Sequence, residues 1–490
     1  MTNAMFEELK SIAGWTDEDC SGVTITGRDP ALPTRFLVGE IAAGVHAACG
    51  NAAAKLWELR TGRLQRVSID VRPAAASMRS FFYLQLPGGA VDEMTRASML
   101  GGFCRTRDNR WFFVHPGFPH LRAGTLKLLD CENTSSACAA AVAKWDSQEL
   151  EDAFAENGLC GAIVRSAAEW GAHPQGKLLS RLPVVEITKI GDSPREPLLE
   201  RGNRPLSGIR TLDLTRVLAG PTCSRTLAEH GADVLKISAR GLPTSANFDI
   251  DTGHGKRAAF IDLRTKSDAG KLRDLLEQAD IFCQSYRLGA LAGHGLSPEE
   301  VAAIRPGAIY AFMNCYGSVG PWAERRGWEQ LAQTVSGVAH EEGQLVLPPL
   351  DEETVKRFGR YGERLQTPAG EPRLLPGAIT DYVTGYVLAF GTMVALQRRA
   401  REGGSYLVIA SLTQSGMFVE RQGRANAEEA KRQMGSLSPE EAKKWSVEKD
   451  SAYGHIAYLA PVVQMSLTQP HWELPTVPLG THEPVWISRE

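Results

Sequence analysis

Between residues 205 and 315, short apolar runs alternate with stretches of helical spacing. The runs 209–214, 234–237, 258–263, 281–285 and 308–313 are too short for helices and read as buried strands. Between them, 222–230 and 266–277 read as helices, the second through Ala269, Leu272, Leu275 and Leu276. Pro221 suits a first helical turn and Gly231 a helix stop. This alternation predicts an α/β fold, a parallel sheet with helices on both faces. The core is Rossmann-like, yet no G-x-G-x-x-G opens its first helix, so a nicotinamide site has little support.

A second pattern spans the chain. RFLVGEIAAGVHAACGNAAAKLWELRTGRLQRVSID, from Arg35, aligns with LLPGAITDYVTGYVLAFGTMVALQRRAREGGSYLVIA, from Leu374. A shift of 341 residues superimposes Glu40 on Asp381, Gly44 on Gly385, Gly50 on Gly391, Arg60 on Arg401, Gly62 on Gly403 and Val67 on Val408. Each copy reads as a turn, a long helix, a basic and glycine-containing turn, and a strand. The stretch 425–449 is polar and charged and predicts exposed helices or a connection outside the core.

Composition narrows the classes. The chain has 490 residues, 43% hydrophobic and 23% charged, as in a soluble protein of two domains. A net charge of −3 gives no electrostatic case for nucleic acid or an anionic membrane. No run of 18 apolar residues occurs, and the acidic start, MTNAMFEELKSIAGWTDEDC, has no apolar signal-peptide core. The final WISRE matches no retention or anchor signal. Nine cysteines without a C-x-x-C, several in apolar runs, read as free buried thiols of a cytoplasmic protein. Eleven scattered histidines predict no metal site.

PLSGIRTLDLTRVLAGPTCSRTLAEHGADVLKIS, HGKRAAFIDL, ADIFCQSYRLGALAGHGL, RPGAIYAFMNCYGSVGPW and GWEQLAQTVSG follow one another from Pro205 to Gly337. In that order they resemble the family III CoA transferases, the group that includes formyl-CoA transferase, carnitine CoA-transferase and α-methylacyl-CoA racemase. The resemblance extends to about Ala425. It implies a Rossmann-like sheet with a second, smaller α+β domain, drawn here largely from residues 80–200, and an interlocked homodimer. The expected division is 1–204, resembling the back half of a family copy, 205–425, the CoA-binding core, and 426–490, a shortened tail. The family's opening strand sits at 205 rather than near the N-terminus, so the domain order looks permuted.

The resemblance also implies the chemistry, CoA transfer from an acyl-CoA to a small carboxylic acid. A carboxylate forms a mixed anhydride and then a thioester, and CoA serves as cosubstrate. Asp381, in PGAITDYVTGY, occupies the position of the nucleophilic aspartate; an aspartate at a helix start is otherwise an ordinary N-cap. Glu329, in GWEQLAQ, stands where some transferases carry glutamate and the racemase branch carries histidine. A carboxylate can act as a base, which keeps an acyl-CoA racemase or isomerase as the alternative, beside a degenerate acyl-CoA-binding paralogue. CoA contacts are implied at Arg216, Leu218 and Ala219, near Lys236 and Arg240, around Lys256 and Arg257, and at Ser285, Tyr286 and Arg287. Helix starts and basic side chains suit its phosphates. The glycine-rich loop that shields the anhydride in formyl-CoA transferase has no counterpart in the sequence. Glu40, the repeat partner of Asp381, reads as a relic or a second acid, and the sheet that should accompany it looks deleted, which favours the relic.

Overall fold

The computed structural model describes residues 3–87, 100–198, 202–347, 352, 367–433 and 437–488. Two small sheets contain the first strands. β1 (Val23–Thr26) pairs in parallel with β2 (Val67–Asp70), and β3 (Gly102–Arg105), β4 (Trp111–Val114) and β5 (Gly161–Ile163) form an antiparallel sheet. The central sheet has seven strands: β6 (Val185–Gly191), β7 (Arg210–Leu214), β8 (Asp233–Ser238), β9 (Lys256–Phe260), β10 (Ile281–Gln284), β11 (Ile309–Asn314) and β12 (Ser405–Ser411). Their order is β6-β12-β11-β10-β7-β8-β9. β13 (Ser446–Ser451) and β14 (Gly454–Leu459) make a hairpin, and β15 (Gln464–Met465) pairs antiparallel with β2.

The sheet is mixed rather than all-parallel. β7 to β12 pair in parallel, as their apolar runs predict, but β6 adds to β12 antiparallel. Its burial pattern is that of a half-exposed edge, which a purely parallel arrangement would not leave. The helix after β7 begins at Ala219, three residues before the expected start, so Pro221 falls within its first turn. The stretch 425–449 holds two short, mostly exposed helices, Ala427–Ala430 and Pro439–Trp445, and the start of β13. A small sheet, β1-β2-β15, does accompany the Glu40 helix, so the expected deletion is incomplete.

Two helices of 24 residues, Val38–Thr61 and Ile379–Glu402, form the middle of the molecule. The second is long and apolar enough to cross a membrane by length and composition, with mean hydropathy 1.3. In this fold 94% of that window is buried, so its apolarity serves the core. The helices pack side by side: the Cys49 thiol donates to the Tyr386 carbonyl at 3.2 Å, the His46 and Tyr386 rings lie 4.2 Å apart, and the Gln397 amide donates to the Ala52 carbonyl at 3.0 Å. Met5, Phe36 and Val45 share one apolar cluster with Leu218, Tyr382 and Val408. The first 200 residues are therefore continuous with the core.

Beside the helices lies a layer of buried polar groups. Arg225 pairs with Asp251 at 2.9 Å, and Asp251 accepts from Ser80 at 2.7 Å and Tyr382 at 3.2 Å. Nearby, burial pushes the Glu229 carboxyl up to about 8, against the pull of Arg225 and Arg204. The folded chain thus keeps a proton that the unfolded chain releases above the ordinary glutamate value. The folded state is favoured by this group below pH 4.5, and that contribution is lost as pH rises toward 8. Glu229→Gln removes the dependence. The variant's stability relative to the native chain should rise between pH 5 and pH 8, on the order of 1 kcal/mol per pH unit. Denaturant midpoints across that range check this; a difference independent of pH contradicts it.

Candidate active site

The carboxyl ends of β7, β10, β11 and β12 converge on a cavity of about 350 Å³. Ligands enter open α/β sheets at this end, because the strand-to-helix loops diverge there. The cavity brings together eight of the residues expected from sequence: Asp381, Glu329, Arg216, Leu218, Ala219, Ser285, Tyr286 and Arg287.

Asp381 is the third residue of its helix, and Ala378 is the N-cap. The ordinary capping role thus falls to another position. Among the described residues no group hydrogen-bonds the Asp381 carboxylate. Burial pushes its pKa well above the usual carboxylate range, and the charge of Glu329 adds to the shift. Glu329 opens the helix Glu329–Val335 and is buried. Its Oε1 accepts from the Thr380 hydroxyl at 3.0 Å, from the Thr380 amide at 3.4 Å, and from the Gln333 side chain. Glu329 is thereby fixed against the start of the Asp381 helix, while Asp381 faces the cavity. A carboxylate with so little solvation, at the positive end of a long helix, is a strong nucleophile once ionised.

The opposite wall is the loop after β7. Val217 has a φ of 69°, a left-handed conformation costly for a β-branched residue, and such strain persists only where surroundings impose it. Next to it, the Arg216 amide donates to the Ser285 hydroxyl at 3.0 Å, tying the β7 and β10 loops together. The Arg216 side chain donates to the Pro243 carbonyl and lies 5.1 Å from the centre of the Phe118 ring. Arg287 and Arg326 have no carboxylate partner among the described residues. Two unpaired guanidiniums and an unpaired acid in one cleft suit a substrate with a reactive carbonyl and anionic groups.

Comparison with known proteins shows the family. Residues 206–450 match the CoA-transferase family III. An acyl-CoA transferase of Gibberella moniliformis is 30% identical over 82% of this chain and 75% of its own length. The chain belongs to CoA-transferase family III. An acetyl-coenzyme A transferase of Hypoxylon pulicicidum is 29% identical over 66% of this chain and 55% of its own. A mouse succinyl-CoA:glutarate CoA-transferase is 29% identical over 52% and 54%. The chain thus spans three quarters of the first relative and about half of the other two. Among solved structures, a CAIB/BAIF family protein from Brucella suis is 28% identical over 45% of this chain and 56% of its own, with a TM-score of 0.37.

Four basic residues expected in this family's CoA site lie elsewhere. Lys256 is buried, donating to the Pro221 carbonyl at 2.8 Å and the Ser224 hydroxyl at 2.7 Å, and pairs with Asp213 at 3.2 Å. Burial lowers its pKa to about 8, with Asp213 opposing. Lys236 donates to the Thr215 carbonyl and faces the same acid at 4.0 Å. Burial pushes Asp213 up, yet these two lysines hold it at about 2. Arg257 pairs with Asp233 at 3.1 Å and donates to the Val485 carbonyl at 2.6 Å. Arg240 sits 4.7 Å over the Phe260 ring, in a different cleft. Positive residues at strand ends can neutralise a buried aspartate as readily as bind phosphate, and the sequence alone does not separate the two.

The structure also adds residues. Phe118, His120, Leu121 and Cys160 come from the N-terminal half and close the cavity from the side of the small β3-β4-β5 sheet. Trp328 packs against Phe118 at 5.0 Å and stacks on His115 at 4.8 Å. Arg325 and Arg326 precede it, and Arg325 lies over the Trp322 ring. Trp328 could have been read from the GWEQ motif. Phe118 and Cys160 carry no sequence signal linking them to Asp381, more than 200 residues away.

The acid pair yields a prediction. Glu329→Gln removes the like charge, so the Asp381 pKa should fall toward the usual range while burial keeps part of the shift. Carboxyl carbon NMR of aspartate-labelled protein reads this directly, and an unmoved or rising pKa would contradict it.

Proposed function

We propose that the protein moves CoA from an acyl-CoA thioester to a carboxylic acid through Asp381. The observation that carries the reading is a half-buried Asp381 without a hydrogen-bond partner among the described residues, lining one cavity with the strained Arg216–Ala219 loop. The Asp381 carboxylate attacks the thioester carbonyl and expels CoA thiolate, leaving an aspartyl–acyl anhydride. The thiolate attacks the aspartyl carbonyl and releases the donor acid as its carboxylate. The acceptor carboxylate then attacks the aspartyl thioester and expels CoA thiolate, forming an aspartyl–acceptor anhydride; the thiolate attacks the acceptor's acyl carbonyl, giving the new acyl-CoA and releasing the Asp381 carboxylate. Every step exchanges one acyl bond for another, so no oxidant or net proton is required. Glu329 acts as the positioning residue for the Asp381 helix start. Arg216 and Arg287 face the phosphates, and Leu218 and Ala219 face the pantetheine arm. The relatives' names support acyl-CoA donors, and one of them supports a dicarboxylate acceptor. Nine free cysteines, eight of them buried, fit a cytoplasmic setting.

A racemase would need two free groups on opposite faces of the substrate carbon, whereas Glu329 Oε1 is engaged by Thr380 and Gln333. The two readings separate by experiment. With acyl-CoA alone, a transferase accumulates an adduct at Asp381 that hydroxylamine captures, whereas a racemase exchanges the α-hydrogen for solvent deuterium. Asp381→Asn should lower turnover by roughly 10³-fold or more with the fold retained. Native-like turnover in that variant, or deuterium exchange without an adduct, would overturn the assignment.

A further inference from the structure

The two long helices are equivalent in more than length. Both start and both end 341 residues apart, and their N-caps, Leu37 and Ala378, share φ and ψ within 3° (−80°, 54° and −83°, 57°). Both are followed by a strand whose last residue caps the next helix, Asp70 after β2 and Ser411 after β12, again 341 apart. The first helix faces the second in parallel and near equal offset: His46 meets Tyr386, and Ala52 meets Gln397.

The glycines show what surrounds each helix. A Cβ on Gly50 would lie 2.6 Å from Val67 of β2 and 2.9 Å from Val463, just before β15. A Cβ on Gly391 would lie 2.8 Å from Val408 of β12 and 2.8 Å from Val185 of β6. Each helix therefore packs on a strand that pairs in parallel on one side, with β1 or β11, and antiparallel on the other, with β15 or β6. The antiparallel partners are crossed. β6 follows the first helix in the chain but pairs with the strand of the second; β15 follows the second but pairs with the strand of the first. The acids also correspond. Asp29 accepts from the Gly39 and Glu40 amides at 3.1 and 2.7 Å, and Glu329 accepts from the Thr380 amide at 3.4 Å, 341 residues after Gly39.

We propose that this chain consists of two copies of one unit that exchange their closing strands, so that the Asp381 cavity is completed within a single polypeptide. The exchange carries function, because the segment between the first helix and β6 contains Phe118, His120 and Cys160. The first copy thus supplies the wall of the second copy's cavity, a role that a second chain would otherwise have to fill. A homodimer is not needed to build the site.

The test is independent of activity, so a failure of the transferase reading leaves it intact. Thr188 and Leu407 face each other across β6 and β12. Cysteines at such positions have Cβ atoms about 5 Å apart, within reach of a short bismaleimide. In the full chain carrying Thr188→Cys and Leu407→Cys, the linker should join the two positions in protein of single-chain mass, as read by intact-mass and peptide mass spectrometry. A linked dimer, or no link between these positions, would overturn the proposal. The single-cysteine variants control for linkage through Cys131, the native thiol that is not fully buried.

Discussion

The close parallel packing of the two 24-residue helices is the constraint on which the molecule depends. Gly44 and Gly385 let neighbouring elements approach: a side chain at Gly44 would meet Met5, and one at Gly385 would meet Thr222. Gly50 and Gly391 let each helix settle onto its strand. With these approaches fixed, the second helix starts at the carboxyl edge of the central sheet, where Asp381 lines the cavity. Replacing any of these glycines forces backbone or packed side chains apart, so the glycine pattern is a packing requirement rather than a flexibility signal.

Electrostatics around the site divide into groups that are satisfied and groups that are held ready. The satisfied set is large: Asp213 with two lysines, Asp251 with Arg225 and Tyr382, Glu329 with Thr380. Each is buried, and each is hydrogen-bonded, as charges away from water must be. Among the residues that line the cavity, Asp381 has no hydrogen-bond partner and Arg287 and Arg326 have no carboxylate partner among the described residues. An unpaired acid in a desolvating pocket costs stability until a partner arrives, which is how a site for an electrophile differs from a structural ion pair.

Much of this was legible in the sequence. The apolar runs placed five parallel strands of the central sheet within a few residues, because a strand buried on both faces needs a continuous apolar stretch. Asp381, Glu329 and the Arg216–Ala219 loop were legible because they sit inside motifs whose order survives. The 341-residue correspondence was also visible, since glycine spacing on a close-packed helix tolerates little change.

Tertiary structure decided the rest. The antiparallel addition of β6 depends on an edge left open by β12, which no local pattern encodes. The engagement of Lys236, Lys256 and Arg257 by buried acids depends on which carboxylates fold beside them, and a basic residue at a strand end reads the same either way. The N-terminal wall of the cavity and the crossing of β6 and β15 between the two helix–strand units are long-range pairings, set by which apolar surfaces meet once both helices are packed. Local sequence determined the elements and the reactive carboxylate, because periodicity and motif spacing act over a few residues; tertiary packing alone decided what surrounds that carboxylate, because its neighbours come from opposite ends of the chain.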